Sequence, residues 1–204
     1  TMKMKLFKHL LFWALMPTVI VSLVACSDSD HENEFSVDLR RGLIVVNEGS
    51  YYSQINGSID FIDFRTNTQL RNVFSRVNQR TLGGTPNSAL VFQGKLYVAT
   101  TDENRIEVMN ARTLRAAEPV NIVKPRELCT DGQYIYVSSY TGKVYCINPQ
   151  TDQIIATSEV VGAQLEGIVA RSGYVYVANS CNPDYTYNTD VVKLQSQDLA
   201  VVKH

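Results

Sequence analysis

One pattern returns along this chain about every forty residues, and it limits the possible folds more than any other feature. Gly94-Lys95-Leu96-Tyr97-Val98-Ala99 is echoed by Gln133-Tyr134-Ile135-Tyr136-Val137-Ser138 and again by Gly173-Tyr174-Val175-Tyr176-Val177-Ala178. Tyr97, Tyr136 and Tyr176 therefore stand 39 and 40 positions apart. A weaker copy, Gly42-Leu43-Ile44-Val45-Val46-Asn47, lies one longer period upstream. Recurrence at this period marks supersecondary units that bury their faces only by stacking on one another.

The content of each repeat points to strands. A second apolar run follows each copy, at Ile59 to Phe64, Ile106 to Asn110, Val144 to Asn148 and Val191 to Leu194. Polar turns come next, such as Arg65-Thr66-Asn67-Thr68 and Pro149-Gln150-Thr151-Asp152, and a third run leaves them, as in Ile154 to Thr157. A further run precedes the later copies: Ala89 to Phe92, Leu128 to Thr130 and Gly167 to Ala170. Four short strands in ~40 residues is the content of a propeller blade. Leu96-Tyr97-Val98-Ala99 and Tyr174-Val175-Tyr176-Val177 are apolar on both faces, as expected of strands covered on both sides and not of a sheet with one wet face. A parallel α/β sheet would need crossover helices, and the sequence offers none. A two-sheet sandwich is the competing fold, but it leaves the period unexplained.

The expected fold is thus all-β, a β-propeller with about four blades between residues 42 and 204, where whole rings have ~4–8. The first repeat opens at its Gly42 strand with no inner strand before it, and the last stops in Leu199-Ala200-Val201-Val202-Lys203-His204. Open flanks and edges are hazardous, so the expectation is a truncated, partial ring of a seven-bladed propeller.

The first 25 residues read as a targeting segment. Lys3, Lys5 and Lys8 precede an apolar stretch from Leu10 to Ala25 that is broken by Pro17 and short for a membrane span of ~20 residues. It ends in Leu23-Val24-Ala25-Cys26, which resembles a bacterial lipobox with Cys26 as the lipidated residue; an ordinary signal peptide or a signal anchor is the alternative. The expected organisation is a lipoprotein signal peptide at 1–25, lipidated Cys26 with an acidic flexible tether at 26–41, and the partial propeller at 42–204. Contact with the membrane is then through the lipid anchor only. The run Ser27-Asp28-Ser29-Asp30-His31-Glu32-Asn33-Glu34 resembles the acidic tag that exports lipoproteins of Bacteroidota to the cell surface. It is also the composition of a plain solvated tether. The expected location is the outer membrane, exposed at the surface, with a periplasm-facing anchor as the alternative.

Charge and residue types exclude several functions. Net charge is -1, about -4 without the targeting segment and its three lysines, so nucleic acid is not a partner. His9, His31 and His204 all fall outside the repeats, which leaves no basis for a Ser-His-Asp triad or a histidine metal site. There is no phosphate loop and no GxGxxG. Cys129, Cys146 and Cys181 fit no zinc spacing and read as small buried hydrophobes, with a disulfide as the alternative. Carboxylates Glu48, Asp102, Glu127, Glu166 and Asp184 could bind Ca²⁺ in principle, but no spacing singles out a site. The chain does not read as an enzyme, and no cofactor or metal is expected.

Binding residues are expected on the loops that ring one face of a propeller. The segments that enter the innermost strands align as Pro86-Asn87-Ser88, Pro125-Arg126-Glu127 and Leu165-Glu166-Gly167, placing Asn87, Arg126 and Glu166 at one position of successive blades. They could converge on a ligand or merely cap strand ends. The loops between second and third strands are long in the first and last repeats, at 47–56 and 179–188. These hold Asn47, Glu48, Tyr51, Tyr52, Asn179, Asn182, Tyr185 and Tyr187, with Asp102 and Tyr140 in the shorter equivalents. Tyrosine gives rigid amphipathic contact area and asparagine adaptable hydrogen bonds, although loops of this length are also ordinary solvated insertions.

The stretch Arg41-Gly42-Leu43-Ile44-Val45-Val46-Asn47-Glu48-Gly49, with Leu165-Glu166-Gly167-Ile168-Val169-Ala170 feeding Tyr174-Val175-Tyr176-Val177-Ala178-Asn179, resembles the YncE-like, YVTN-type propeller lipoproteins of Bacteroidota over about residues 41–204. The resemblance extends to members of the BtuG type, which are seven-bladed surface lipoproteins that bind cobalamin on the loop face and pass it to a TonB-dependent outer-membrane transporter. It implies cobalamin or another corrinoid as ligand and such a transporter as partner. A propeller lactonase or other hydrolase, and a surface adhesion or protein-interaction scaffold, are the alternatives.

Overall fold

The computed structural model describes residues 35–203. The expected signal peptide, Cys26 and most of the tether lie outside the described residues, as do all three histidines.

Fifteen strands and one short helix follow one another, and the strands form four antiparallel sheets. Blade 1 has three strands: β1 (Gly42–Asn47), β2 (Ser58–Asp63) and β3 (Thr68–Leu70). Blade 2 has β4 (Pro86–Phe92), β5 (Lys95–Thr100), β6 (Arg105–Asn110) and β7 (Val120–Asn121). Blade 3 has β8 (Pro125–Thr130), β9 (Ile135–Ser139), β10 (Val144–Asn148) and β11 (Gln153–Thr157). Blade 4 has β12 (Gln164–Arg171), β13 (Tyr174–Cys181), β14 (Tyr187–Gln195) and β15 (Val201–Lys203). Each sheet is a meander in chain order, and β4, β8 and β12 pack neighbour to neighbour as innermost strands. Among the described residues this is the β-propeller expected from the repeat, with four blades and no second sheet layer.

The core divides at the junctions between blades. Ile59, Phe61, Leu96, Val98 and Met109 fill the junction of blades 1 and 2. Tyr97, Ala99, Val108, Ile135 and Val137 fill that of blades 2 and 3. Tyr136, Cys146, Val175, Val177 and Leu194 fill that of blades 3 and 4. Alternate residues of one strand therefore serve opposite junctions, which is why the second strand of each blade is apolar on both faces.

The recurring tyrosine has a definite task. Tyr97 of blade 2 donates its hydroxyl to Asp152 of blade 3 at 2.8 Å, where Lys95 also reaches Asp152 at 2.6 Å. Tyr136 of blade 3 donates to Asp131 at 2.8 Å and to the Ser196 carbonyl of blade 4 at 3.2 Å. Tyr176, the third in register, instead shares the Lys193 ammonium with Tyr174, at 5.7 and 3.6 Å from the ring centroids.

Two features between and before the blades differ from the sequence reading. Helix α1 (Val73–Asn78) links blade 1 to blade 2. Six residues cannot hold a helix alone, but Val73 and Phe74 are fully buried in the first junction and Asn78 bonds the Phe74 and Leu114 carbonyls. Residues 35–41, expected as the end of a tether, are packed: Val37 is buried, Phe35 and Leu39 rest on the same cluster, and the Val37 N–H donates to the Arg112 carbonyl at 2.7 Å.

The cysteines Cys129, Cys146 and Cys181 are unbridged. Burial pushes the Cys129 thiol up to about 12 and the Cys146 thiol up to about 11.

Candidate functional site

Asn87, Arg126 and Glu166 were expected in loops. They lie instead inside the innermost strands, at a bulge repeated in three blades. Asn87 is skipped between the pairs Pro86–Thr100 and Ser88–Ala99. Arg126 and Glu127 together face the single residue Ser138. Glu166 and Gly167 likewise face Ala178. A bulge inserts one unpaired residue and turns its side chain out of the strand's alternation, so the repeat delivers one polar side chain per blade to the same place.

These side chains meet. The Arg126 guanidinium grips Glu166 at 3.1 and 3.0 Å, reaches the Thr101 hydroxyl at 3.3 Å and lies 4.3 Å over the Tyr140 ring. Tyr140 closes the group by donating its hydroxyl to Glu166. Asn87 donates to Glu127 at 3.0 Å and to the Arg126 carbonyl at 3.4 Å. Backbone groups are relayed as well, for the Glu127 N–H donates to Ser138 Oγ at 3.1 Å and that hydroxyl to the Glu166 carbonyl at 2.6 Å. Burial first, and the bond to Glu166 second, push the Tyr140 hydroxyl up to about 12.

Asp102 sits beside this group. It accepts from Thr85 at 2.5 Å and from Lys124 at 3.0 Å. Burial pulls its carboxyl upward, but the bonds from Thr85 and Lys124 together with the charges of Lys124 and Arg126 outweigh it and hold the group below its ordinary value. Thr85 and Lys124 both precede a proline that opens an innermost strand, and both are left-handed, at φ 52° and 46°. Such backbone costs free energy and gathers at functional positions; here it carries both donors to one carboxylate. Thr85 and Lys124 were not singled out as site residues, although they stand 39 positions apart in the repeat. Two cations, Lys124 and Arg126, face three carboxylates, Asp102, Glu127 and Glu166, so the patch is close to charge-balanced.

The β1–β2 loop supplies the aromatic wall. It is pinched, with Ser50 and Ile55 exchanging backbone bonds at 2.9 and 3.0 Å. Gly49, at φ 80°, lies against the Ile55 carbonyl, where a Cβ would come within 2.2 Å. What remains is a tip carrying Tyr51 and Tyr52 edge to face at 5.6 Å, 71% and 95% exposed. With Asn56, Gly84 and Asp102 they line a cleft of about 450 Å³.

Other expected residues lie apart from this group. Asn47 ends β1 and donates to Ser58 Oγ at 3.0 Å, and Glu48 is exposed. The long loop expected at 179–188 shrinks to residues 182–186, because β13 runs on to Cys181 and β14 starts at Tyr187. Asn179 accepts from the Ala163 N–H at 2.9 Å, anchoring the chain that enters β12. Asn182 bonds within the hairpin tip, to Thr186 and Asn188, and leaves Tyr185 and Tyr187 76% and 88% exposed. Among the described residues no group of three or more His, Cys, Asp or Glu is placed to hold a metal ion.

Residues 41–204 match the family described as Domain of unknown function (DUF5074). The chain belongs to this family. For this DUF5074 chain no curated protein matches, but solved structures share its fold. A computationally designed protein, Ika8, is 10% identical with a TM-score of 0.59, covering 78% of this chain and 45% of its own. BamB from Moraxella catarrhalis is 18% identical with a TM-score of 0.55, covering 82% and 48%. Hydrazine synthase from Kuenenia stuttgartiensis is 21% identical with a TM-score of 0.51, covering 58% and 34%. The DUF5074 chain thus spans a third to a half of these structures, and at such identities the likeness is one of fold. That fold is a scaffold suited to holding a ligand or a protein on its loop face.

Proposed function

We propose that this chain is a cell-surface lipoprotein, held by lipidated Cys26, whose loop face captures an amphipathic, amide-rich small molecule. Cobalamin or a related corrinoid is the leading ligand, and a TonB-dependent outer-membrane transporter is the receiving partner. The observation that carries the reading is the pairing of two exposed tyrosines with a preorganised polar floor: Tyr51 and Tyr52 share a cleft with Asp102, next to the Arg126–Glu166–Tyr140 group.

A corrinoid offers a broad apolar ring edged by neutral amides. Exposed tyrosine rings suit the first, and a floor of amide, carboxylate and guanidinium groups held in place before binding suits the second. The near balance of charge on that floor favours a neutral ligand over an ionic one. Tyr185 and Tyr187 on the blade 4 hairpin provide a second aromatic edge of the same composition.

The test is equilibrium dialysis of the complete chain, in neutral detergent, against cyanocobalamin followed by its visible absorbance. Saturable retention is expected, weakened about tenfold or more when Tyr51 and Tyr52 are both changed to alanine, in line with aromatic hot spots of ~2 kcal/mol or more. No retention, or retention indifferent to that change, overturns the reading.

A further inference from the structure

The connections at the opposite end of blades 1 and 2 enclose a second cleft, independent of the corrinoid reading. A cleft of about 720 Å³ opens there between the two blades and the packed segment 35–41. Four arginines line it, and they come from three separate stretches of chain. Arg40 and Arg41 precede β1, Arg65 lies in the β2–β3 turn, and Arg112 lies in the turn after β6. Phe61, Leu39 and Val91 contribute apolar surface to the same cleft.

Among the described residues, the two acids that line it, Asp38 and Asp63, offset only part of the charge of the four arginines. Asp38 is held by Arg40, at 3.0 Å to each carboxylate oxygen, and by Arg41 at 2.8 Å. Asp63 accepts the backbone N–H groups of Arg65 and Thr66 at 2.8 and 3.2 Å. Neither Arg65 nor Arg112 makes a salt bridge among the described residues. The backbones carrying these arginines are fixed: the Val37 N–H donates to the Arg112 carbonyl at 2.7 Å, and the Phe64 N–H to the Arg41 carbonyl at 2.8 Å. Unpaired guanidinium groups on a rigid frame, facing one concave space, are the arrangement that takes a phosphate oxyanion through paired N–H donors. The apolar patches favour a phosphate ester over the bare ion.

We propose that this cleft binds a phosphate group, with Arg65 and Arg112 as its principal donors and Arg40 and Arg41 at its rim. Such a group can come from a phospholipid headgroup or from a soluble phosphate compound, and the test separates the two. The complete chain in neutral detergent is titrated calorimetrically with inorganic phosphate and with glycerophosphoglycerol, the deacylated headgroup of phosphatidylglycerol. Saturable binding to at least one probe is expected, lost progressively as salt is raised. It should weaken about tenfold or more in an Arg65→Gln, Arg112→Gln variant, since each charge-assisted bond is a strong one. The same variant should melt close to the wild type, because neither side chain makes a hydrogen bond or salt bridge to a described residue and the Arg65 side chain acts on Asp63 only through its charge, and Arg171→Gln on blade 4 should bind as wild type. Tighter binding of glycerophosphoglycerol assigns the cleft to a membrane headgroup, and equal or tighter binding of phosphate to a soluble anion. No saturable binding to either probe, or unchanged affinity in the double variant, overturns the proposal.

Discussion

Arg126 of blade 3 and Glu166 of blade 4 face each other as a two-bonded pair across their junction, with guanidinium nitrogens 3.1 and 3.0 Å from the two carboxylate oxygens. Both occupy the bulge of an innermost strand, so the pair exists because the same irregularity recurs in register. With 13% of the arginine side chain and 27% of the glutamate exposed, the pair is shielded more than a surface bridge. Shielding raises its strength and also the cost of breaking it from one side.

A double-mutant cycle measures that coupling. Arg126→Ala and Glu166→Ala are each expected to destabilise the chain in urea melts, and the cycle should return an interaction of about 1–2 kcal/mol. Arg126→Lys should recover little of it, because an ammonium cannot make the parallel fork or stack on Tyr140 in the same way. Additive single effects would show that the pair is incidental.

Tyr140 sets an alkaline limit on the loop face. Its folded-state value is pushed up to about 12 by burial and by the bond to Glu166, against ~10 in the unfolded chain. The stabilisation is therefore complete below about pH 10 and is lost as pH climbs toward the folded value. Ultraviolet titration should show Tyr140 ionising late, ahead of Tyr97 and Tyr136, which burial pushes up further still, and Tyr140→Phe should remove one tyrosinate from that late group. The variant should also lose less stability than wild type between neutral pH and that limit.

Tyr97 and Asp152 offer a contrast between losing one donor and losing the acceptor. Tyr97→Phe removes one hydrogen bond and leaves Asp152 with Lys95, at a cost of about 1 kcal/mol. Asp152→Ala strands the Tyr97 hydroxyl and leaves the Lys95 ammonium with the Pro149 carbonyl alone, and should cost about 2–3 kcal/mol. Thermal melts of the two variants rank them, and equal effects would contradict the geometry.

The fold was legible because blade stacking forces the same residues to recur. Tyr97 and Tyr136 each span a junction, and the strands that carry them must be apolar on both faces. Convergence of Asn87, Arg126 and Glu166 was legible from alignment of the repeats, but their backbone was not, since a bulge is defined by pairing with a partner strand and leaves no local mark on Pro86-Asn87-Ser88. Helix α1 was hidden for a related reason: its stability comes from burying Val73 and Phe74 against another blade, and not from its own six residues. Asn179 and Tyr187 read as loop because their polar and aromatic types suit exposed positions, and a hairpin that projects past its neighbours exposes strand in the same way. Lys124 escaped notice because a lone lysine before a proline gives no sign that a left-handed turn aims it at Asp102.

Separate apolar cores at each junction have a mechanical consequence. A substitution such as Val137→Ala loosens the contact of blades 2 and 3 directly, while the packing of blades 1 and 2 feels it only through the intervening sheet. Strain should therefore travel along this chain as between coupled springs, with nearest neighbours sharing most of a disturbance. Under force or denaturant the blades would peel in order from a weakened junction, leaving the stacks on either side intact for longer than a molecule with one undivided interior would allow.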